Sequence, residues 1–226
     1  MSVVALVMAA GRGNRVGGDV PKQYMNISGK TVLTRTVSKL LESELIDYIQ
    51  VVINKHDTSF YNNAISKFKT DRLLAPCFGG AERSDSARLG LINLKYLSPQ
   101  KIIIHDAARP FVSLKLINTI IKRLENNCAV LPSLPIVDAL WKEVKNHKSV
   151  KIQPGPSRNG LLRAQTPQGF SYEKILLAHL NNKEKALDDI AIAHKQGLKI
   201  DIIMGEEDNF KLTSLDDFKR AERFFS

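Results

Sequence analysis

Residues 5–24 read ALVMAAGRGNRVGGDVPKQY, an apolar run that gives way to small residues and then to a proline. The run 3–8 has the length and continuity of a strand buried on both faces. Glycines directly after such a strand let backbone N–H groups approach phosphate oxygens with no side chain in the way. Two familiar phosphate loops do not fit. The dinucleotide fingerprint needs a third glycine where this chain has Val16, and an acidic residue closing the second strand where it has Asn54. The Walker A loop needs Gly-Lys-Ser/Thr, and none closes this loop. What remains is a small-residue loop carrying Arg12, Arg15 and Lys22, suited to a ligand with several negative charges.

Strand and helix patterns alternate onward from that loop. Residues 31–44 carry Val32, Leu33, Val37, Leu40 and Leu41 on one helical face. Residues 48–53 read as a strand, and Asp57 stands where it caps a helix running to 68. A short strand is expected at 73–77, a helix at 82–97 and a buried strand at 101–105. Ser113 caps a helix over 114–124, and 128–131 is strand-like. This βαβα order predicts a parallel sheet covered by helices on both faces. The order breaks at 131–170, which holds five of the nine prolines and two β-like pieces, 139–144 and 150–153. Proline interrupts helices and central strands, so an extended arm at about 133–160 is the natural reading. Helices resume at 172–180 and 188–195, a strand follows at 200–204, and a helix covers 215–225. Without an internal repeat or linker, residues 1–226 read as one domain with an arm.

In open α/β sheets ligands gather at the carboxyl ends of the strands. The sequences after four strands, AAGRGNR, FGGAERSDS, HDAARP and GEEDNFK, place glycines, cations and carboxylates at one such edge. Composition narrows the ligand. The formal charge of +10 points to nucleic acid, yet the cations are scattered and no helix-turn-helix, zinc-finger or aromatic RNP pattern occurs. A phosphate-rich small molecule fits better. Cys77 and Cys128 lie in separate strand-like runs, which argues against a disulfide framework or zinc site and for a cytoplasmic protein. No apolar run approaches a bilayer span, and the first apolar run reads as a strand rather than a signal peptide.

Six motifs occur in order along nearly the whole chain: MAAGRGNRV (8–16), PKQY (21–24), GGAERSDS (79–86), HDAARP (105–110), RNGLLRAQTPQGF (158–170) and DNFKLT (208–213). This set resembles the 2-C-methyl-D-erythritol 4-phosphate cytidylyltransferases, nucleotidyltransferases of non-mevalonate isoprenoid synthesis. The resemblance implies a Rossmann-like, mostly parallel sheet with helices on both faces and a β-arm for dimerisation. It implies transfer of the cytidylyl group of CTP to methylerythritol phosphate with release of pyrophosphate. It also implies Mg²⁺ or another divalent cation, held mostly by the CTP phosphates, with Asp106 as the protein's contribution. Arg15 and Lys22 match the family's transition-state stabilisers, and Lys211 and Arg158 match residues that position the second phosphate. By the same resemblance Arg158 reaches the partner subunit's site. Nucleotide contacts then fall to Ala9, Ala10, Gly11 and Gly13, to Asp106 and Ala107, and to Gly79, Gly80, Ala81 and Ser86, whose backbone and hydroxyl suit a cytosine edge. Asp106, Arg109, Ala139, Arg158 and Lys211 fall on the polyol phosphate side. His105 reads as a packing residue rather than a base, and Arg83 as a brace for its loop.

Two positions depart from the family pattern. Ala139 and Leu187 stand where the family commonly has threonines that help bind methylerythritol phosphate. Two other readings therefore stay open. Ribitol 5-phosphate cytidylyltransferases share the glycine loop and PKQ, but their fourth loop usually reads HDAVRP and they lack the RNGLLRAQTPQGF form. A degenerate nucleotide-sensing module is the non-enzymatic alternative, although such proteins tend to lose catalytic cations, and Arg15, Lys22, Arg158 and Lys211 are all present.

Overall fold

The first apolar run forms strand β1 (Val3–Ala9), and its alternate side chains enter two different cores. A computed structural model of the chain describes residues 2–12, 20–126, 128–146 and 149–224. After β1 come the short strands β2 (Asn26–Ile27) and β3 (Lys30–Thr31) and helix α1 (Val32–Leu41). Strand β4 (Tyr48–Ile53), helix α2 (Thr58–Ile65), strand β5 (Cys77–Phe78) and helix α3 (Arg83–Asn93) follow. Next are β6 (Lys101–Asp106), α4 (Leu114–Arg123), β7 (Ala129–Pro135) and the hairpin strands β8 (Trp141–Asn146) and β9 (Ser149–Pro154). The chain continues through β10 (Leu162–Ala164), β11 (Gln168–Ser171), α5 (Tyr172–Asn181), α6 (Asp189–Lys195), β12 (Ile200–Met204) and α7 (Leu215–Arg223).

The main sheet runs β10-β7-β11-β6-β1-β4-β5, with β12 added alongside β7. The pairs β6–β1, β1–β4, β4–β5 and β7–β12 are parallel. Strand β11 lies antiparallel between β6 and β7, and β10 is antiparallel to β7. The sheet is thus mixed, with a parallel centre. On one face Val3, Ala5 and Val7 pack with Leu33 and Val37 of α1, Tyr61 of α2 and Ile120 of α4. On the other, Val4 and Leu6 pack with Leu91 of α3, Ile175 of α5 and Ala193 of α6. Period-two alternation in β1 therefore feeds both layers. Helix α7 closes a third cluster of Ile27, Val32, Ala108, Leu212 and Phe218.

Several elements differ from the sequence expectation for identifiable reasons. The strand expected at 73–77 is reduced to Cys77–Phe78 and a bridge between Leu73 and Ile49. Pro76, with no N–H, cannot extend the ladder. Strand β7 carries Pro132 inside a paired region; the Pro132 carbonyl still accepts from the Gln165 N–H at 2.9 Å. The short strands β10 and β11 were not expected at all. In the arm, β8 and β9 form a separate two-stranded sheet.

Candidate active site

Three loops are tied together above the carboxyl ends of β1 and β6. The Gln23 side-chain amide donates to the carbonyls of Ala9 (2.6 Å) and Gly11 (3.1 Å), which fastens the PKQ turn onto the loop after β1. Lys22 Nζ donates to the Leu212 carbonyl at 3.0 Å, and the Leu212 N–H donates to the Ala108 carbonyl at 2.8 Å. Thr36 of α1 holds the Ala107 carbonyl at 2.8 Å. The segments that bear Lys22, Asp106 and Lys211 are thereby locked to one another.

Between them lies a cleft of about 350 Å³. Ala9, Ala10, Gly11, Gly80, Ala81, Ser86, Asp106, Ala107, Lys22 and Lys211 from the sequence expectation all line it, joined by Arg12 and Arg83. Arg12 is braced by Asn54 (3.2 Å) and by the buried Asp57 (3.4 Å). Gly79 and Gly80 leave no room for a β-carbon. One added at Gly79 would sit 2.5 Å from Ser86 Oγ and 2.7 Å from Ala10 Cβ, and one at Gly80 would sit 2.6 Å from Asp85 Cβ. Ser86 Oγ accepts the Gly80 N–H and donates to the Glu82 carbonyl, both at 3.1 Å, so it shapes the turn as well as lining the cleft. Gly11 is different: among the described residues nothing would touch a β-carbon there.

The electrostatic centre is Asp106. Its Oδ2 lies 2.7 Å from Lys211 Nζ and 4.0 Å from Arg109 Nε, and its Oδ1 lies 3.3 Å from Arg83 Nε. Burial alone would raise the Asp106 pKa, but Arg83 first and then Lys211 hold it well below the ordinary carboxylate range. Arg83 itself spans two carboxylates, with Nη1 2.7 Å from Oδ2 of the fully buried Asp189. Asp189 is likewise depressed against its burial, by Arg83 and then by His179, whose Nε2 lies 3.1 Å from Oδ1. The residue expected to brace one loop is thus the hub of a buried chain of charges. His105 is fully buried, with Nε2 against the Arg109 carbonyl and Nδ1 against Thr166 Oγ1, both at 3.0 Å. Burial pushes its pKa down to about 4, so it is a neutral packing group as expected.

Comparison with known proteins places the chain in a family. The family profile described as "IspD: 2-C-methyl-D-erythritol 4-phosphate cytidylyltransferase" matches residues 3–226. The chain belongs to this cytidylyltransferase family. It is 36% identical over 228 residues to the 2-C-methyl-D-erythritol 4-phosphate cytidylyltransferase of Cereibacter sphaeroides, covering 100% of this chain and 98% of that protein. It is also 41% identical over 225 residues to the bifunctional enzyme IspD/IspF of Paramagnetospirillum magneticum, covering 98% of this chain. This chain spans 56% of that relative's length, and 54–57% of the other bifunctional relatives it matches. Among solved structures, the cytidylyltransferase of Francisella tularensis superimposes with a TM-score of 0.82 at 26% identity, over 99% of each chain.

Of the other residues expected at the site, those that are described do not line the cleft. Arg15 and Gly13 lie outside the described residues. Arg109 lines an adjoining recess that Lys211 also borders. Ala139 and Arg158 are exposed on the arm, and Arg158 Nη1 donates to the Val137 carbonyl. Leu187 is 96% exposed just before α6 and lines neither space. Gln23, Asp189, Gln165 (bonded to the Glu206 backbone) and Asn209 (Nδ2 to the Thr166 carbonyl at 2.8 Å) also organise the site, beyond the residues expected from sequence. Gln23 carried a signal, since it sits inside PKQY. Asp189 carried only its place beside Asp188 ahead of an apolar helix.

Proposed function

We propose that this chain transfers the cytidylyl group of CTP to 2-C-methyl-D-erythritol 4-phosphate, giving 4-diphosphocytidyl-2-C-methyl-D-erythritol and pyrophosphate. The observation that carries the reading is the convergence of Lys22, Lys211 and Asp106 on a cleft floored by the backbone of Ala9–Gly11. The polyol phosphate is already an anionic nucleophile. One of its oxygens attacks the α-phosphorus of CTP, the bond to the β-phosphate bridging oxygen breaks, and pyrophosphate leaves with that electron pair. No general base is needed, which agrees with a neutral, enclosed His105. What the protein supplies is alignment and screening of two phosphates, followed by retention of the leaving group. Lys22 and Arg15 are assigned to the charge that develops at the α-phosphorus, and Lys211 and Arg109 to the incoming phosphate.

A single carboxylate suits a magnesium ion that arrives on the triphosphate, because Mg²⁺ is commonly held by one or two carboxylates plus substrate phosphates. Among the described residues no cluster of three or more His, Cys, Asp or Glu side chains forms an all-protein metal cage. Asp106 would contact that ion, which would add positive charge at the reacting phosphates when bound. Lys211, now paired with Asp106, would then be released toward phosphate oxygens.

The arm supports a dimeric enzyme. Trp141 and Ile152 of its hairpin are 61% and 66% exposed, an apolar surface suited to a second copy. Arg158 at the base of that arm would complete the neighbouring site. The test of the function is pyrophosphate release from each of the four nucleotides with methylerythritol phosphate or ribitol 5-phosphate. Release with CTP and methylerythritol phosphate is expected. Release with ribitol 5-phosphate alone would transfer the assignment to the ribitol enzymes, and none with any pair would favour a nucleotide-sensing module.

A further inference from the structure

Beside the nucleotide cleft, across Lys211, lies a recess of about 190 Å³ bordered by four cations, Arg109, Arg163, Lys211 and Arg220, and one acid, Glu207. We propose that Arg163 is a further phosphate-binding residue for the second substrate, and that Glu207 is an internal anion which the incoming phosphate replaces. This rests on the function proposed above.

Three of the four cations are already committed. Lys211 lies 2.7 Å from Asp106. Arg109 gives Nη1 to the Asn209 carbonyl at 2.7 Å. Arg220 stacks 4.0 Å above the Phe210 ring. Arg163 is held instead by a surface carboxylate, with Nη2 2.5 Å from Glu207 Oε1 and the two side chains 49% and 68% exposed. Both residues are carried on fixed backbone. Arg163 sits in β10 opposite Leu134. The loop bearing Glu207 is clamped by Gln165, which donates to the Glu206 carbonyl at 2.7 Å and accepts the Glu206 N–H at 3.0 Å. An exposed ion pair adds little to stability, so the pair is a poor structural staple. Its guanidinium is nonetheless a planar fork matched to phosphate oxygens. A phosphate monoester brings up to two charges and three oxygens against the single charge of Glu207, so exchange at Arg163 favours the ligand. Such a contact would offset the hydroxyls absent at Ala139 and Leu187.

The test is calorimetric titration of inorganic phosphate into the chain, beside steady-state kinetics with CTP and methylerythritol phosphate. Arg163→Ala should weaken phosphate binding and raise the polyol phosphate KM by roughly 10- to 100-fold, the worth of one charge-assisted hydrogen bond. The KM for CTP should stay within about twofold, the split expected when a contact serves one substrate. Arg163→Lys, which keeps the charge and loses the fork, should fall between wild type and Arg163→Ala. Glu207→Gln should tighten phosphate binding and lower the polyol phosphate KM. Unchanged phosphate binding in Arg163→Ala overturns the proposal, and weaker binding in Glu207→Gln overturns the exchange. A chain that binds phosphate through Arg163 yet does not turn over methylerythritol phosphate refutes the proposed function and leaves Arg163 as a phosphate contact for a different second substrate.

Discussion

Lys22 reaches the cleft from the PKQ turn, where the Leu212 carbonyl orients its ammonium. A cation placed for charge that develops only during transfer should affect turnover more than binding. Lys22→Ala is therefore expected to lower kcat by ~10²–10³-fold, the range for removing one oxyanion donor. The CTP affinity, read by equilibrium titration, should change far less; equal losses would mean that Lys22 merely holds the nucleotide. His105 supplies a pH prediction. Its folded pKa is lowered to about 4, against an ordinary value near 6.5 for an unfolded histidine. Between those values the unfolded chain binds the extra proton, so stability is complete above about pH 6.5 and falls as pH drops toward 4. The loss is on the order of 3 kcal/mol. Urea unfolding at pH 7 and pH 5 should show about 2 kcal/mol of it, and a His105→Asn variant should be flatter over that span. Asp106 and Asp189, both depressed, contribute at neutral pH and lose their contribution only at more acidic values. At this scale Lys22, Asp106 and Lys211 were legible, because each lies in a short motif behind a strand. The hub role of Arg83 was not, because its buried partner Asp189 is 106 residues away in sequence.

The elements explain why these side chains meet. Strands β1 and β6 are parallel neighbours in register, with Met8 opposite Asp106, so the loops after them open at the same edge. The loop after β5 is held by a turn with no room for a β-carbon at Gly79 or Gly80. An alanine at Gly79 would press its β-carbon against Ser86 and Ala10. Overpacking of this kind costs about 1–3 kcal/mol. Gly79→Ala should accordingly lower the urea midpoint and raise the KM for CTP; an unchanged KM would separate this turn from nucleotide binding. Periodicity disclosed the helices well, since α1 and α4 carry clear apolar faces; Ser113 caps α4 as expected, while Thr31, expected inside the first helix, is its cap. It did not disclose β10 and β11. They are three and four residues long, and their antiparallel pairing with β7 and β6 is a long-range choice that no local pattern records.

For the whole molecule, two features lie outside the cleft: an arm with exposed apolar side chains, and Arg158 on exposed chain. If each site borrows Arg158 from its partner, inactive Arg158→Ala and Lys22→Ala chains should complement on mixing. Random exchange gives half heterodimers, each with one intact site, and so about a quarter of wild-type activity. No recovery despite confirmed subunit exchange would place Arg158 in its own subunit's site or outside the chemistry. Among the described residues no helix is long and apolar enough to cross a membrane. In the proposed reaction the phosphate of the polyol displaces pyrophosphate from CTP. Phosphorus NMR of the chain with CTP, methylerythritol phosphate and magnesium reads both products at once. A diphosphate diester and free pyrophosphate should rise in equal amounts while both substrates fall together. CMP or orthophosphate without the diester, or a diester formed only when ribitol 5-phosphate replaces methylerythritol phosphate, would contradict it.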